Sequence, residues 1–339
     1  MLHNPDPMRA RPAPGNAAGD PLSDVLALLQ ISSGAALRIA ASGAWALRLP
    51  AYSYLKFIAQ VEGRQWILAD GAAAPICLAP GDCLVMHGGR PFVVASDLAL
   101  APVDGTVHFA GAYREHGDGG SVRWGEGPPD MVAVAGRFEV DPAQHALLAE
   151  ILPPELHIAA ASQAAPALHA LLELFRGEAG AGAPGQRLVV DGLARIALVQ
   201  ALRAAGSADE SAAGSAAAAD GWLGALADPK IGAVLRLLHG DPARRWTLPE
   251  LAQASAMSRS ALALRFKAMV GKAPLQYLQH WRMRLARQAL RQGGEPVATL
   301  AWRLGYASES AFSASFKQHT GMAPGQFRRA GAAAQDVLS

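Results

Sequence analysis

Two nineteen-residue segments lying 50 positions apart carry the same chemistry in the same order: SRSALALRFKAMVGKAPLQ (258–276) and SESAFSASFKQHTGMAPGQ (308–326) agree at 9 of 19 positions. Agreement of that density at one offset marks an internal repeat. Each copy opens on a serine, a residue that caps helices by accepting a backbone N–H, and continues with apolar side chains at helical spacing. In the first copy Leu262, Phe266 and Met269 form a stripe that must be buried, which leaves Ser258, Arg259, Ser260, Ala263, Leu264 and Lys267 for the exposed side. In the second, Phe312 and Phe316 are the buried pair, and Ser308, Glu309, Ser310, Ser313, Ala314 and Lys317 take the equivalent places. Hydroxyls and cations on one helix face are the groups that reach phosphates and base edges in a DNA groove.

A second helix must precede each of these and hold it. Thr247 and Glu250 form a capping box ahead of Leu248, Leu251 and Ala252, and a turn at Ala256-Met257 leads to Ser258. Val297, Leu300, Ala301 and Leu304 repeat the pattern up to Gly305. This is helix-turn-helix grammar twice over. Between the copies PLQYLQHWRMRLARQALRQ predicts a helix of about 17 residues, roughly 25 Å long, a spacer suited to the ~34 Å repeat of the major groove. The charge agrees. Residues 222–339 carry 16 Lys/Arg against 6 Asp/Glu, and residues 1–221 carry 14 against 22. A basic C-terminal third is the electrostatic footprint of a phosphate-neutralising protein.

The whole chain has 339 residues, enough for two domains, and its 51% apolar and 17% charged content excludes a disordered chain. Neither a secretory signal nor a long uninterrupted apolar run is present, so a soluble, cytoplasmic protein without a membrane partner is expected. Residues 1–20, rich in Pro, Gly and Ala, are expected to be disordered. Residues 21–140 contain short strand-like runs separated by Asp70-Gly71, Pro80-Gly81-Asp82 and Gly88-Gly89, which predicts an antiparallel barrel. Residues 141–206 turn helical, 207–221 fit a linker, and 222–330 hold the double helix-turn-helix. The expected fold is thus a multidomain α+β chain, a β-barrel with flanking helices followed by an all-α unit. Val189, Leu193, Ile196 and Ala197 offer apolar surface for a homodimer.

WTLPELAQASAMSRSALALRFKAMVGKAPLQYLQHWRMRLARQAL and VATLAWRLGYASESAFSASFKQHTGMAPGQFRR resemble the AraC/XylS family of bacterial transcription regulators over residues 222–330. LKFIAQVEGRQWIL, LAPGDCLVMHGGRPFVVASD and VAVAGRFEVDPAQHALLAEILP resemble, more loosely, the cupin-type sensor domain of some members. The resemblance implies a barrel that senses a small molecule, helices that dimerise, and a repeat that binds double-stranded promoter DNA, with RNA polymerase as a further candidate partner. Family members often place an arginine where Leu264 and Ala314 stand, so this chain departs from the pattern in both copies. Metal-binding cupins carry a histidine pair on one strand, and Ile58 stands where many relatives have a histidine. With only His87, His108 and His116 at irregular spacing, neither a metal nor another cofactor is expected. The enzyme alternative, a metal-dependent cupin whose helices serve association, needs that missing triad.

Two features remain open. Trp45, Trp66 and His87 are candidates for lining a ligand pocket, and core packing explains the tryptophans equally well. Cys77 and Cys83 flank the turn LAPGD. A three-residue loop sets their sulfurs face to face as a redox pair, and a two-residue loop sets them on opposite faces.

Overall fold

The computed structural model describes residues 19–29, 31–106, 121–141, 144–160, 165–178, 184–206 and 221–336. The expected disordered N-terminus and linker lie almost wholly outside these residues, as do His108 and His116. The chain divides into two compact units, one spanning Leu29–Ala227 and the other combining the first residues, up to Leu28, with Asp228–Ser339.

The first unit contains eleven strands among the described residues: β1 (Ser32–Ala41), β2 (Ala46–Leu49), β3 (Leu55–Glu62), β4 (Gln65–Ala69), β5 (Ile76–Leu78), β6 (Cys83–Met86), β7 (Phe92–Ala95), β8 (Val103–Asp104), β9 (Ser121–Trp124), β10 (Met131–Glu139) and β11 (Glu155–Ile158). They form a six-stranded sheet, β11-β6-β3-β10-β1-β9, and a five-stranded one, β5-β4-β7-β2-β8. The pairing is antiparallel as expected except at two edges, where β9 runs parallel to β1 and β8 parallel to β2. Alternation along each strand sends one set of side chains between the sheets. On β4 the inward set is Gln65, Ile67 and Ala69. With Leu47, Ile58, Phe92 and Met131 from the other strands, Ile67 and Ala69 build a core that both sheets share. β3 is buried on both faces, because helix α3 (Ala165–Glu178) covers it from outside and α4 (Gln186–Gly206) packs on β1, β6 and β11. The remaining helices of this unit are α2 (His145–Ile151) and α5 (Trp222–Ala227), and α5 lies against α4.

The second unit is helical: α6 (Pro229–Gly240), α7 (Leu248–Ala254), α8 (Arg259–Val270), α9 (Pro274–Gln292), α10 (Val297–Arg303), α11 (Glu309–Thr320) and α12 (Pro324–Asp336). The capping box forms, with the Glu250 N–H bonded to the Thr247 hydroxyl and the Thr247 N–H donating at 2.8 Å to the Glu250 carboxylate. Ser258 and Ser308 accept from the N–H of Ala261 and Ala311 at 3.2 and 3.1 Å, and Gly271 and Gly321 end the helices in left-handed conformation. Aromatic rings then fill the second copy, where Tyr306, Phe312, Phe316 and Phe327 contact one another in sequence at 5.4–5.7 Å.

The unit boundary differs from the expected division in two places. Trp222–Ala227 groups with the strand unit. The N-terminal helix α1 (Pro21–Leu29) contributes its residues up to Leu28 to the helical one. A buried histidine makes the second assignment physical. His239 Nδ1 donates at 3.0 Å to the Asp24 carboxylate, which leaves Nε2 to accept from the Tyr277 hydroxyl at 2.8 Å, and its ring lies 4.2 Å from that of Trp281. Burial lowers the imidazole pKa against the opposing pull of Asp24, so the ring is held as a neutral connector. Such a contact joins residues over two hundred positions apart, which periodicity cannot signal.

The two helix-turn-helix copies differ at the turn itself. The residue that must go left-handed is Gly305 (φ +81) in the second copy and Ala256 (φ +50) in the first. Any side chain at Gly305 would run into the Ala243 carbonyl. We therefore expect Gly305→Ala to destabilise the helical unit by about 1–3 kcal/mol through forced overpacking. Ala256→Gly should stabilise it by up to about 1 kcal/mol, since alanine bears a left-handed penalty there that glycine escapes. Thermal or urea denaturation of the two variants against wild type measures both signs.

Candidate DNA interface and ligand cavity

The roll of α8 is set by Leu262 and Phe266, both fully buried, and that of α11 by Phe312 and Phe316. Met269, expected in the same stripe, is only half-buried, since it lies in the last turn of α8. The opposite faces carry the sequence-derived candidates. Arg259, Ser260, Leu264 and Lys267 are exposed and Ala263 is half-buried; Glu309, Ser310, Ala314 and Lys317 are exposed and Ser313 is half-buried. Leu264, at 76% exposure, is the most accessible large apolar residue among the described residues of the helical unit. Ser258 and Ser308 spend their acceptor capacity on the caps, and their hydroxyls also meet those of Ser260 and Ser310 at 3.3 and 2.9 Å. Arginine on α8 divides by role: Arg265 pairs with Asp228, the N-cap of α6, while Arg259 stands exposed at the helix start. Asp228 also accepts the N–H groups of Lys230 and Ile231 at 2.9 and 2.8 Å, and these bonds, with Arg265, hold its carboxyl below the usual range against burial.

In the other unit a cavity of about 330 Å³ opens between the sheets, at the lower end of the volumes small molecules occupy. Its walls are mostly apolar, with Trp45, Leu47, Ile58, Phe92, Val94 and Met131 among them. Of the three predicted pocket residues only Trp45 lines it. Trp66 stands at the outward phase of β4, between inward Gln65 and Ile67. The His87 ring is taken up by the Leu152 carbonyl at 2.9 Å.

The residue that sequence reading missed is Lys56. It stands two positions from Ile58, on the same face of β3, and lines the cavity with Tyr52, Tyr54 and Arg137. Its ammonium lies 4.4, 5.1 and 5.4 Å from the ring centroids of Phe92, Tyr52 and Tyr54. Among the described residues no carboxylate pairs with it. Burial alone pulls its pKa down to about 7 from 10.5, and burial raises those of Tyr52 and Tyr54, so both phenols stay protonated. The parity of LKFIAQVE held the signal, for any strand phase that puts Ile58 inward also puts Lys56 inward.

The cysteines do not form the facing pair that a three-residue hairpin would have made. β5 and β6 belong to different sheets, so Cys77 opposes Trp66 while Cys83 opposes Ala59 and Ile158. The intervening residues carry the chain from one sheet to the other, fastened by Asp82, which accepts from the N–H groups of Ala79 and Ala160 and meets His157 Nε2 at 3.0 Å. Burial, with Asp82 nearby, pushes the Cys83 thiol up to about 12, the reverse of what an oxidant-sensing thiolate needs. Among the described residues no three His, Cys, Asp or Glu side chains are grouped to hold a metal ion, and no helix is long and apolar enough to cross a membrane.

A cupin family matches residues 20–205 and a helix-turn-helix domain family matches residues 251–330. An AraC-like transcription regulator of Streptomyces antibioticus is 40% identical over 91% of this chain and 98% of its own length, and one of Streptomyces lividans matches to the same extent. The DNA-binding domain of AdpA, solved in complex with a target DNA, is 29% identical over 32% of this chain and 97% of that chain, with a TM-score of 0.30.

Lys56 has a pH signature. It releases its proton near pH 7 when folded and near 10.5 when unfolded. Between those values the unfolded chain binds the additional proton, so the stability deficit due to Lys56 is complete below the lower value and shrinks as pH rises toward the upper one. We expect Lys56→Met to melt above wild type, with the gap widest near pH 6 and narrowing steadily at alkaline pH. A gap that is constant or widens with pH would contradict the burial of a charged lysine.

Proposed function

The chain belongs to the AraC-like family of DNA-binding transcription regulators, and from that premise we propose that α8 and α11 are its two recognition helices, under control of a small molecule bound in the cavity between the sheets. The roll of the two helices carries the first part of this reading: α8 buries Leu262 and Phe266, α11 buries Phe312 and Phe316, and each turns hydroxyls and a lysine outward. Arg259, Lys267 and Lys317 contact phosphates and supply most of the affinity, and Leu264 packs on a thymine methyl where an arginine would read guanine. Base readout is modest as a result. The cavity's largely apolar walls with a few polar groups among them support its role as effector site. A regulator of this kind works in the cytoplasm beside RNA polymerase.

The assay is binding of the full-length protein to duplex promoter fragments from its own upstream region, by fluorescence anisotropy across a salt series. Affinity should fall with a log-log slope of about −0.9 per phosphate neutralised. Lys267→Ala should weaken all sequences alike and reduce that slope by about 1. Leu264→Ala should leave the slope alone and relax preference at one base step, read by binding-site selection. Salt-insensitive binding, or an unchanged preference in Leu264→Ala, would count against the assigned roles.

We further propose a homodimer through α4. Its support is the exposure of Leu188, Val189 and Ile196, at 73, 43 and 49%; Val189 and Ile196 lie two turns apart on one face. Leu193 and Ala197, expected on the same surface, are buried instead, because α4 turns that side toward the sheet it covers. Light scattering should give twice the mass of the 339-residue chain, and Ile196→Glu should reduce it to one chain while leaving the fold intact by circular dichroism.

A further inference from the structure

We infer that the cavity takes a small apolar molecule ending in a carboxylate, its acid group seated at Lys56 and Arg137 and its body against Trp45, Ile58, Phe92 and Met131. This deepens the reading of the cavity as the effector site, on which its regulatory meaning rests. Lys56 on β3 and Arg137 on β10 are direct cross-strand partners. Their side chains therefore leave the same face with Cβ atoms about 5 Å apart, which brings both cations to one end of the cavity. Both line the cavity. Arg137 has a carboxylate near it, Glu139 at 3.5 Å; Lys56 has three aromatic rings and, among the described residues, no anion. A cation without a counter-ion in an apolar wall is costly, and a leucine or methionine would fill the same space without that cost.

An anion resolves the arrangement. It meets the lysine as a point charge and the arginine as a fork of donors, and it gives the buried ammonium the counter-charge it lacks. Tyr54, kept protonated by its burial and close enough to Arg137 to feel its charge, adds a hydroxyl at the same end, whereas the Tyr52 hydroxyl is engaged at the Gly89 backbone. A cationic ligand would face two like charges, and a neutral one would leave the buried ammonium without a counter-charge. A singly charged head group fits best, because Lys56 and Arg137 are the two cations of the lining and the rest of the wall, Gln65, Thr106 and the tyrosine hydroxyls apart, is apolar. Aliphatic and aromatic acids share this chemistry, and the probes below separate them.

The test is titration calorimetry on the full-length protein near pH 6, using octanoate, 3-phenylpropanoate, 1-octanol and octylamine. At least one carboxylate should bind one-to-one, and the better of the two identifies the aliphatic or aromatic source. Octanol should bind at least about tenfold more weakly, and octylamine should not bind. Lys56→Met should weaken the preferred carboxylate by about tenfold or more while leaving octanol within about twofold, and Lys56→Arg should restore much of the loss. Arg137→Gln provides a second variant if Lys56→Met fails to fold. Octanol as tight as the carboxylates, a Lys56→Met protein that holds the carboxylate as well as wild type, or no carboxylate binding at millimolar concentration would each overturn the assignment. Promoter affinity measured with and without saturating carboxylate keeps the two readings apart. Carboxylate binding that leaves DNA affinity unchanged removes the regulatory role and leaves the ligand class standing. Intact DNA binding without carboxylate binding removes the ligand class alone.

Discussion

The burial of Phe266 on α8 and of Phe312 and Phe316 on α11 decides which side of each helix meets solvent. A helix can present any of its faces until one is committed to a core, and an aromatic ring commits it more firmly than any charge on the far side. Once the rings are seated, the exposed face follows from 100° steps around the helix axis. The caps and turns refine this outcome. Ser258 and Ser308 start the helices at equivalent residues, and the left-handed residues Ala256 and Gly305 set the angle at which each leaves its predecessor. Through these local devices the proposed base-reading side chains inherit their places from the packing beneath them.

Strand parity plays the same part in the other unit. β3 and β10 run antiparallel with Ile58 opposite Ala135 and Lys56 opposite Arg137, so the register that buries Ile58 also brings two cations together at the cavity wall. The apolar core and the charged end of the cavity are consequences of one register. A slip by one residue would exchange both for the outward face. The cavity's chemistry is thus as fixed as the sheet itself, although one of the groups that supply it is a lysine whose ordinary place is in water.

What the sequence disclosed and what it withheld divide along contact range. The repeat, the capping box, the serine caps and the buried phenylalanines are set within a few residues of chain, and each was legible. The two-sheet fold was legible as strands and turns, but which strand pairs with which was not: LAPGD is equally compatible with a hairpin that would pair Cys77 and Cys83, whereas the chain changes sheets at Asp82. Trp66 was a pocket candidate by residue type, and the phase of β4 sends it outward. The place of α1 depends on Asp24 meeting His239, a contact without local trace. Lys56 is the instructive case, because strand parity alone turns it inward with Ile58, against the ordinary preference of a lysine for solvent.

The two proposed recognition helices are alike in fold and unlike in charge, and this bears on how the proposed interface divides its work. The first residue of α8 is Arg259 and that of α11 is Glu309. A helix N-terminus already favours anions through its unpaired N–H groups, and an arginine there adds to the attraction for phosphate. A glutamate in the same place complements the helix dipole internally but repels the DNA backbone. The apolar contact is unequal too, since Leu264 extends farther than Ala314. On the proposed interface the first copy therefore has both the stronger phosphate contact and the larger groove-facing side chain. The second copy, with Lys317 as its cation, contributes chiefly register: joined to the first through α9, nineteen residues long, it restricts where along the duplex the first copy can sit. Specificity in such an arrangement arises from the spacing of two modest contacts as much as from either one.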